Sequence, residues 1–145
     1  MKNFLYLAFS FVLIIASIYM LIPLFYANKI PSIKYLDINE KEINLSDINL
    51  NNKQTYIFYV SPTCEYCSDI NNLLDTLSDS KFNKIIICSS EENVNYAMYK
   101  NKFNLNNENY FLIDTKNNFA HDFKINTNYS LPLIIKYDKK GIKMK

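Results

Sequence analysis

Residues 55–67 read TYIFYVSPTCEYC. Thr55 to Val60 is β-branched, aromatic and uncharged, the composition of a strand buried on both faces at the centre of a sheet. Ser61-Pro62-Thr63 stops that strand. From Cys64 to Leu77 the spacing becomes helical: Cys67, Ile70, Leu73, Leu74 and Leu77 share one stripe, while Asp69, Asn72, Asp75 and Thr76 fall elsewhere. Cys64 and Cys67 thus stand where a buried strand hands over to a helix, the context in which a C-x-x-C reads as a redox motif. At the first turn, residues i and i+3 share a face, so the two sulfurs can close a disulfide. Cys64 would lie beside unpaired N–H groups and the positive end of the helix dipole, both of which favour the reactive thiolate. Cys67, one turn in, is expected to be more buried. Glu65 sets a negative charge beside Cys64 and opposes the dipole. A less stabilised thiolate makes the disulfide harder to reduce, which points to a reductant.

Moving outward, Lys84 to Cys88 (KIIIC) is a second buried strand. Ser89 with Glu92 fits a capping box for a helix running to about Phe103. Tyr110 to Asp114 is a third short strand, and Phe119 to Phe123 a helical turn. Leu133 to Tyr137 and Ile142 to Met144 flank Asp138-Lys139-Lys140-Gly141, a hairpin connection. Upstream, Ile33 to Asp37 and Glu42 to Leu45 pair across a turn at 38–41, and Ser46 is a candidate N-cap for a short helical turn. Buried strands joined through helices imply a parallel core, and the two hairpins add antiparallel strands: an α/β fold with a central mixed sheet flanked by helices. Pro132 opens its strand. A trans proline would simply end the loop; in the cis form the backbone of Leu131 is free to pair with an extended peptide.

Phe4 to Ala27 carries no charged residue. As a helix it would rise roughly 36 Å, enough for a hydrocarbon core of about 30 Å. A cleaved signal peptide is the competing reading, but the run is long and Tyr26-Ala27-Asn28 is a poor cleavage site. The expected division is an anchor at 1–28 and a globular domain at 29–145. Lysines flank the span on both sides, so charge does not choose its orientation. The net charge of +2 is too small to imply a nucleic-acid partner. Three cysteines exclude a dense disulfide scaffold. Cys88, ending a buried strand, reads as a packed thiol. A zinc site would need a second ligand pair, and the sequence offers none.

The run Tyr35 to Cys67, with FLIDTKNNFAHDFKI and SLPLIIKYDKKGIK downstream, resembles the TlpA/ResA-like branch of the thioredoxin-fold superfamily, membrane-anchored thiol–disulfide oxidoreductases. The resemblance implies that Cys64 attacks a substrate disulfide and Cys67 resolves the mixed disulfide. Pro132 and Leu131 would position substrate. No cofactor beyond the redox-active Cys64–Cys67 disulfide is implied. Partners would be disulfide-bearing client proteins, a membrane electron donor and the bilayer, with the domain extracytoplasmic. The sequence departs from the pattern in places. Thr63 replaces the usual Trp, Phe58 stands where ordinary thioredoxins bury an acid, Ile70 replaces an acid after the second cysteine, and the usual carboxy-terminal helix is missing. Three other readings are carried along. A Sco-like copper chaperone would use Cys64, Cys67 and His121. A peroxiredoxin-like peroxidase would use Cys64, although the chain has no Arg to activate peroxide. A non-catalytic interaction domain would need neither cysteine.

Overall fold

The computed structural model describes residues 10–21, 29–48, 50, 52–77, 81–103, 105, 109–126 and 128–144. Among them six strands, β1 (Lys34–Asp37), β2 (Glu42–Asn44), β3 (Gln54–Val60), β4 (Phe82–Ser89), β5 (Tyr110–Asp114) and β6 (Leu133–Tyr137), form one sheet in the order β2-β1-β5-β4-β3-β6. Four α-helices accompany it: α1 (10–21), α2 (Ile70–Thr76), α3 (Tyr96–Lys100) and α4 (Phe119–Asp122). β3, β4 and β5 run parallel, whereas β1, β2 and β6 pair antiparallel. The mixed sheet expected from the sequence is therefore present, with β3 between β4 and β6.

The period-two alternation of the strands divides the core into two layers. Ile57, Tyr59, Ile85, Ile87 and Leu112 face one side, with Phe119 and Phe123 from the α4 segment. Phe58, Val60, Ile86, Cys88 and Phe111 face the other, with Cys67, Ile70 and Leu74 from the helical segment after β3 and Tyr99 and Phe103 from the α3 segment. A run apolar at every position is what a sheet covered on both faces demands. α2 is tied back to the sheet by a buried lysine: Lys84 Nζ on β4 donates to the Leu74 carbonyl at 3.1 Å.

Several boundaries differ from the sequence reading. The helix expected from Cys64 begins as a 3₁₀ turn at Glu65–Asp69 and becomes α-helical only at Ile70. The helix expected straight after Ser89 begins at Tyr96 instead, because Asn95 is the cap that accepts the Met98 N–H. The Tyr96 hydroxyl accepts the Glu91 N–H at 2.6 Å and holds the intervening segment as a loop. Asn44, not Ser46, caps the short 3₁₀ turn Leu45–Asp47, its side chain accepting the Ser46 N–H. The final hairpin closes through Asp138, whose carboxylate accepts the N–H groups of Lys140 and Ile142 at 2.8 Å each. Gly141 supplies the left-handed residue of that turn at φ +72°.

Of the expected span at 4–27, only residues 10–21 are described; both ends lie outside the described residues. Those residues are helical, and Phe11, Leu13, Ile14 and Ile18 are more than half exposed. Among the described residues no helix is long and apolar enough to cross a membrane.

Candidate active site

β3 ends at Val60, and the chain turns through Ser61-Pro62-Thr63 to the cysteines. The Ser61 carbonyl accepts the Cys64 N–H at 3.1 Å, and the Cys64 carbonyl accepts the Cys67 N–H at 3.3 Å. Cys64 is the extended N-cap residue of the 3₁₀ turn, at φ −79° and ψ 111°. Cys64 and Cys67 are joined as a disulfide with their Cα atoms 5.4 Å apart, within the ordinary span for such bonds. Cys64 is half-buried and Cys67 is only 1 % exposed. A tight turn with its second sulfur sunk into the core leaves Cys64 as the sulfur that an outside thiol or disulfide can reach. A groove of about 200 Å³ opens beside it, lined by Pro62, Thr63, Glu65, Ser68, Tyr99, Lys102 and Phe103. Lys102 lies over the Tyr99 ring, 5.2 Å from its centroid, which sets a cation on the groove wall.

The Leu131–Pro132 peptide bond is cis. Leu131 packs on both core layers, including the one that holds Cys67. Cys88 is the one free thiol among the described residues and is fully buried. His121 does not join the cysteines. It lies on α4, whose Phe119 packs in the opposite layer, and its ring is 91 % exposed beside Asp122. Among the described residues no group of three or more His, Cys, Asp or Glu side chains is placed to hold a metal ion. The donor set that a copper chaperone would need is not assembled there.

Sequence reasoning missed Glu91. Its Oε1 accepts from the Ser61 and Thr63 hydroxyls of the turn before Cys64, the latter at 3.1 Å. A signal for it existed. In a parallel β3–β4 pair the residues leaving the two strands emerge side by side, so Ser61 must neighbour the segment after Cys88.

Burial, with the Glu91 carboxylate as a smaller cause, pushes the Cys88 thiol up to about 12 from an ordinary 9.0. An acid whose pKa is raised by folding keeps its proton longer in the native state than in the unfolded chain. The associated stability is complete below about 9 and is lost as pH rises toward about 12. Burial likewise pushes Tyr137 up to about 12, so it adds to the same alkaline loss. Urea midpoints measured across that window should fall for the wild type and fall less steeply for Cys88→Ala. Parallel slopes would show that Cys88 does not contribute.

The chain matches the Redoxin family over residues 26–141. None of the curated proteins compared matches it. Among solved structures it is similar to a secreted Mycobacterium tuberculosis disulfide oxidoreductase homologous to E. coli DsbE, at 13 % identity and a TM-score of 0.59 over 78 % of this chain and 81 % of that one. It is also similar to the pneumococcal exposed lipoprotein thioredoxin of Streptococcus pneumoniae, at 18 % identity and a TM-score of 0.53 over 78 % and 85 % of the two chains. At such identities the likeness establishes the fold alone, a thioredoxin-like mixed sheet flanked by helices.

Proposed function

Because the chain belongs to the Redoxin family, we propose that it is a thiol–disulfide oxidoreductase that reduces client disulfides with the Cys64–Cys67 pair. The observation that carries this reading is the pair itself: a disulfide at the strand-to-helix turn, with the first cysteine half-buried beside a groove and the second fully buried. In the reduced enzyme the Cys64 thiolate attacks a client disulfide. A mixed disulfide forms on Cys64 and one client thiolate leaves. Cys67, deprotonated, then attacks the Cys64 sulfur, closes the intramolecular disulfide and releases the second client thiolate. Two electrons and two protons pass from the dithiol to the client. A membrane electron donor restores the dithiol.

Glu65 beside Cys64 favours the reducing direction, since a negative charge there disfavours the thiolate. Leu131 and Pro132 are assigned the positioning of an extended client segment, a role supported by Leu131 packing on the layer that contains Cys67. Residues 4–27 are assigned to a membrane anchor, with the domain on the extracytoplasmic side. The charge-free sequence and the exposed apolar side chains of α1 support that assignment.

The test is the reduction potential of the couple. A reductant should lie near about −270 mV or below, the range of thioredoxin, and a value near about −120 mV would make the protein an oxidant instead. Release of the full chain from membranes by alkaline carbonate would remove the anchor.

A further inference from the structure

The best-connected polar group near the dithiol is neither on the turn nor in the motif. Glu91, half-buried after β4, is held at its backbone by Tyr96, whose hydroxyl accepts the Glu91 N–H and donates to the Glu91 carbonyl at 3.1 Å. Its Oε1 accepts from Ser61 Oγ, from Thr63 Oγ1 at 3.1 Å and from Ser89 Oγ at 3.4 Å. Ser61 Oγ in turn accepts the Thr63 N–H at 3.2 Å. The Ser61 carbonyl receives both the Tyr99 hydroxyl at 2.8 Å and the Cys64 N–H at 3.1 Å. Hydrogen bonds therefore run from one carboxylate through the Ser61 hydroxyl to the Thr63 N–H, and directly to the Thr63 hydroxyl, in the turn that presents Cys64.

We propose that Glu91 is a positioning residue for the Cys64–Cys67 couple: through Ser61 and Thr63 it fixes the turn before Cys64, and its charge disfavours the Cys64 thiolate. The inference deepens the reductant reading and rests on it. A single-residue turn cap would need only a neutral acceptor. A carboxylate drawing three hydroxyls toward one oxygen sets its negative charge against Ser61 and Thr63, in the turn just before the first cysteine, where a negative charge opposes ionisation of a thiol. The field of Glu91 also contributes to the raised pKa of Cys88, which pairs with Val60 one residue before the turn. Tyr99 and Cys88 lie within the field of the carboxylate, Tyr96 holds the Glu91 backbone, and Glu65, Tyr99 and Lys102 line the groove beside Cys64. All of these are common to the wild type and the variants below.

Glu91→Gln keeps an acceptor oxygen and removes the charge; Glu91→Ala removes both. In full-length protein, the Cys64 pKa is read from the pH dependence of iodoacetamide alkylation, and the potential from equilibrium with glutathione. Glu91→Gln should lower the Cys64 pKa and shift the equilibrium about fivefold toward the dithiol, the size of a screened charge interaction over several ångströms. That fold-change corresponds to a potential about 20 mV less negative. Glu91→Ala should show the same shift together with a lower urea midpoint. A wild type that forms no reversible couple with glutathione overturns the dithiol reading and this inference with it. A wild-type couple left unmoved, or made more reducing, by Glu91→Gln overturns this inference alone and leaves Glu91 a structural cap.

Discussion

Replacing Cys64 with serine is expected to bring disulfide reduction down to the rate of free thiol exchange, while Cys67→Ser traps the enzyme on its clients. The asymmetry follows from burial. Cys64 is half-buried beside the groove, and Cys67 is 1 % exposed among Ile70, Leu74 and Phe58. Attack on a client therefore belongs to Cys64. A serine hydroxyl cannot replace it, because its alkoxide is not available at neutral pH and it forms no disulfide. Cys67 acts second and within the chain. Without it the mixed disulfide on Cys64 has no resolving thiol and should accumulate as a higher-mass band that dithiothreitol removes. Neither variant should lose much stability through packing, since serine is close in volume, although Cys67→Ser sets a hydroxyl in an apolar layer at about 1–3 kcal/mol if unpaired. Insulin reduction, with non-reducing gels of cells expressing each variant, reads both outcomes. Persistent turnover in Cys64→Ser would end the dithiol mechanism. Adducts on Cys64→Ser but none on Cys67→Ser would reverse the two roles.

The parts of this molecule legible in the sequence are those fixed by short-range pattern. β3 and β4 announce themselves because TYIFYV and KIIIC have no polar face, and only a sheet covered on both sides tolerates that. The two hairpins are readable from turn chemistry at 38–41 and at Asp138–Gly141. The starts of helices are less legible, because they are settled by partners far away in sequence or by competition between caps. Ser89 with Glu92 satisfies a capping box on paper. In the fold, Ser89 donates instead to Glu91, Glu91 accepts from Ser61, 30 residues upstream, and Asn95 caps the helix. Glu91 escapes notice for the same reason: its importance lies in β3 and β4 being parallel neighbours, a relation of topology and not of local spacing. The first turn after Cys64 is 3₁₀, a detail that side-chain periodicity does not distinguish from α.

Phe119→Ala should cost about 3–5 kcal/mol of folding stability, the range for deleting a fully buried aromatic ring. That is a large share of the roughly 5–15 kcal/mol by which a domain exceeds its unfolded state. Phe119 is 0 % exposed and stacks on Tyr59 with ring centroids 4.0 Å apart and on Phe123 at 4.3 Å. It also opens α4, a helix of four residues that cannot persist on its own hydrogen bonds. What holds α4 is the ring, together with Asp114, whose Oδ2 accepts the Phe119 N–H at 2.9 Å and the Tyr59 hydroxyl at 3.4 Å. Removing the ring therefore unfastens the helix as well as emptying its site. The loss should stay on its own side of the sheet. Phe119 belongs to the layer of Ile57, Tyr59, Ile85 and Ile87, whereas Cys67 and the helix behind it pack against Phe58, Val60 and Ile86. Urea titration should show the fall in midpoint, and the potential of the couple, measured where the variant is still folded, should match the wild type. A cost below about 1 kcal/mol would mean that the surroundings collapse into the cavity. A shifted potential would mean that the two layers are coupled through β3, and that the dithiol senses packing on the sheet's far face.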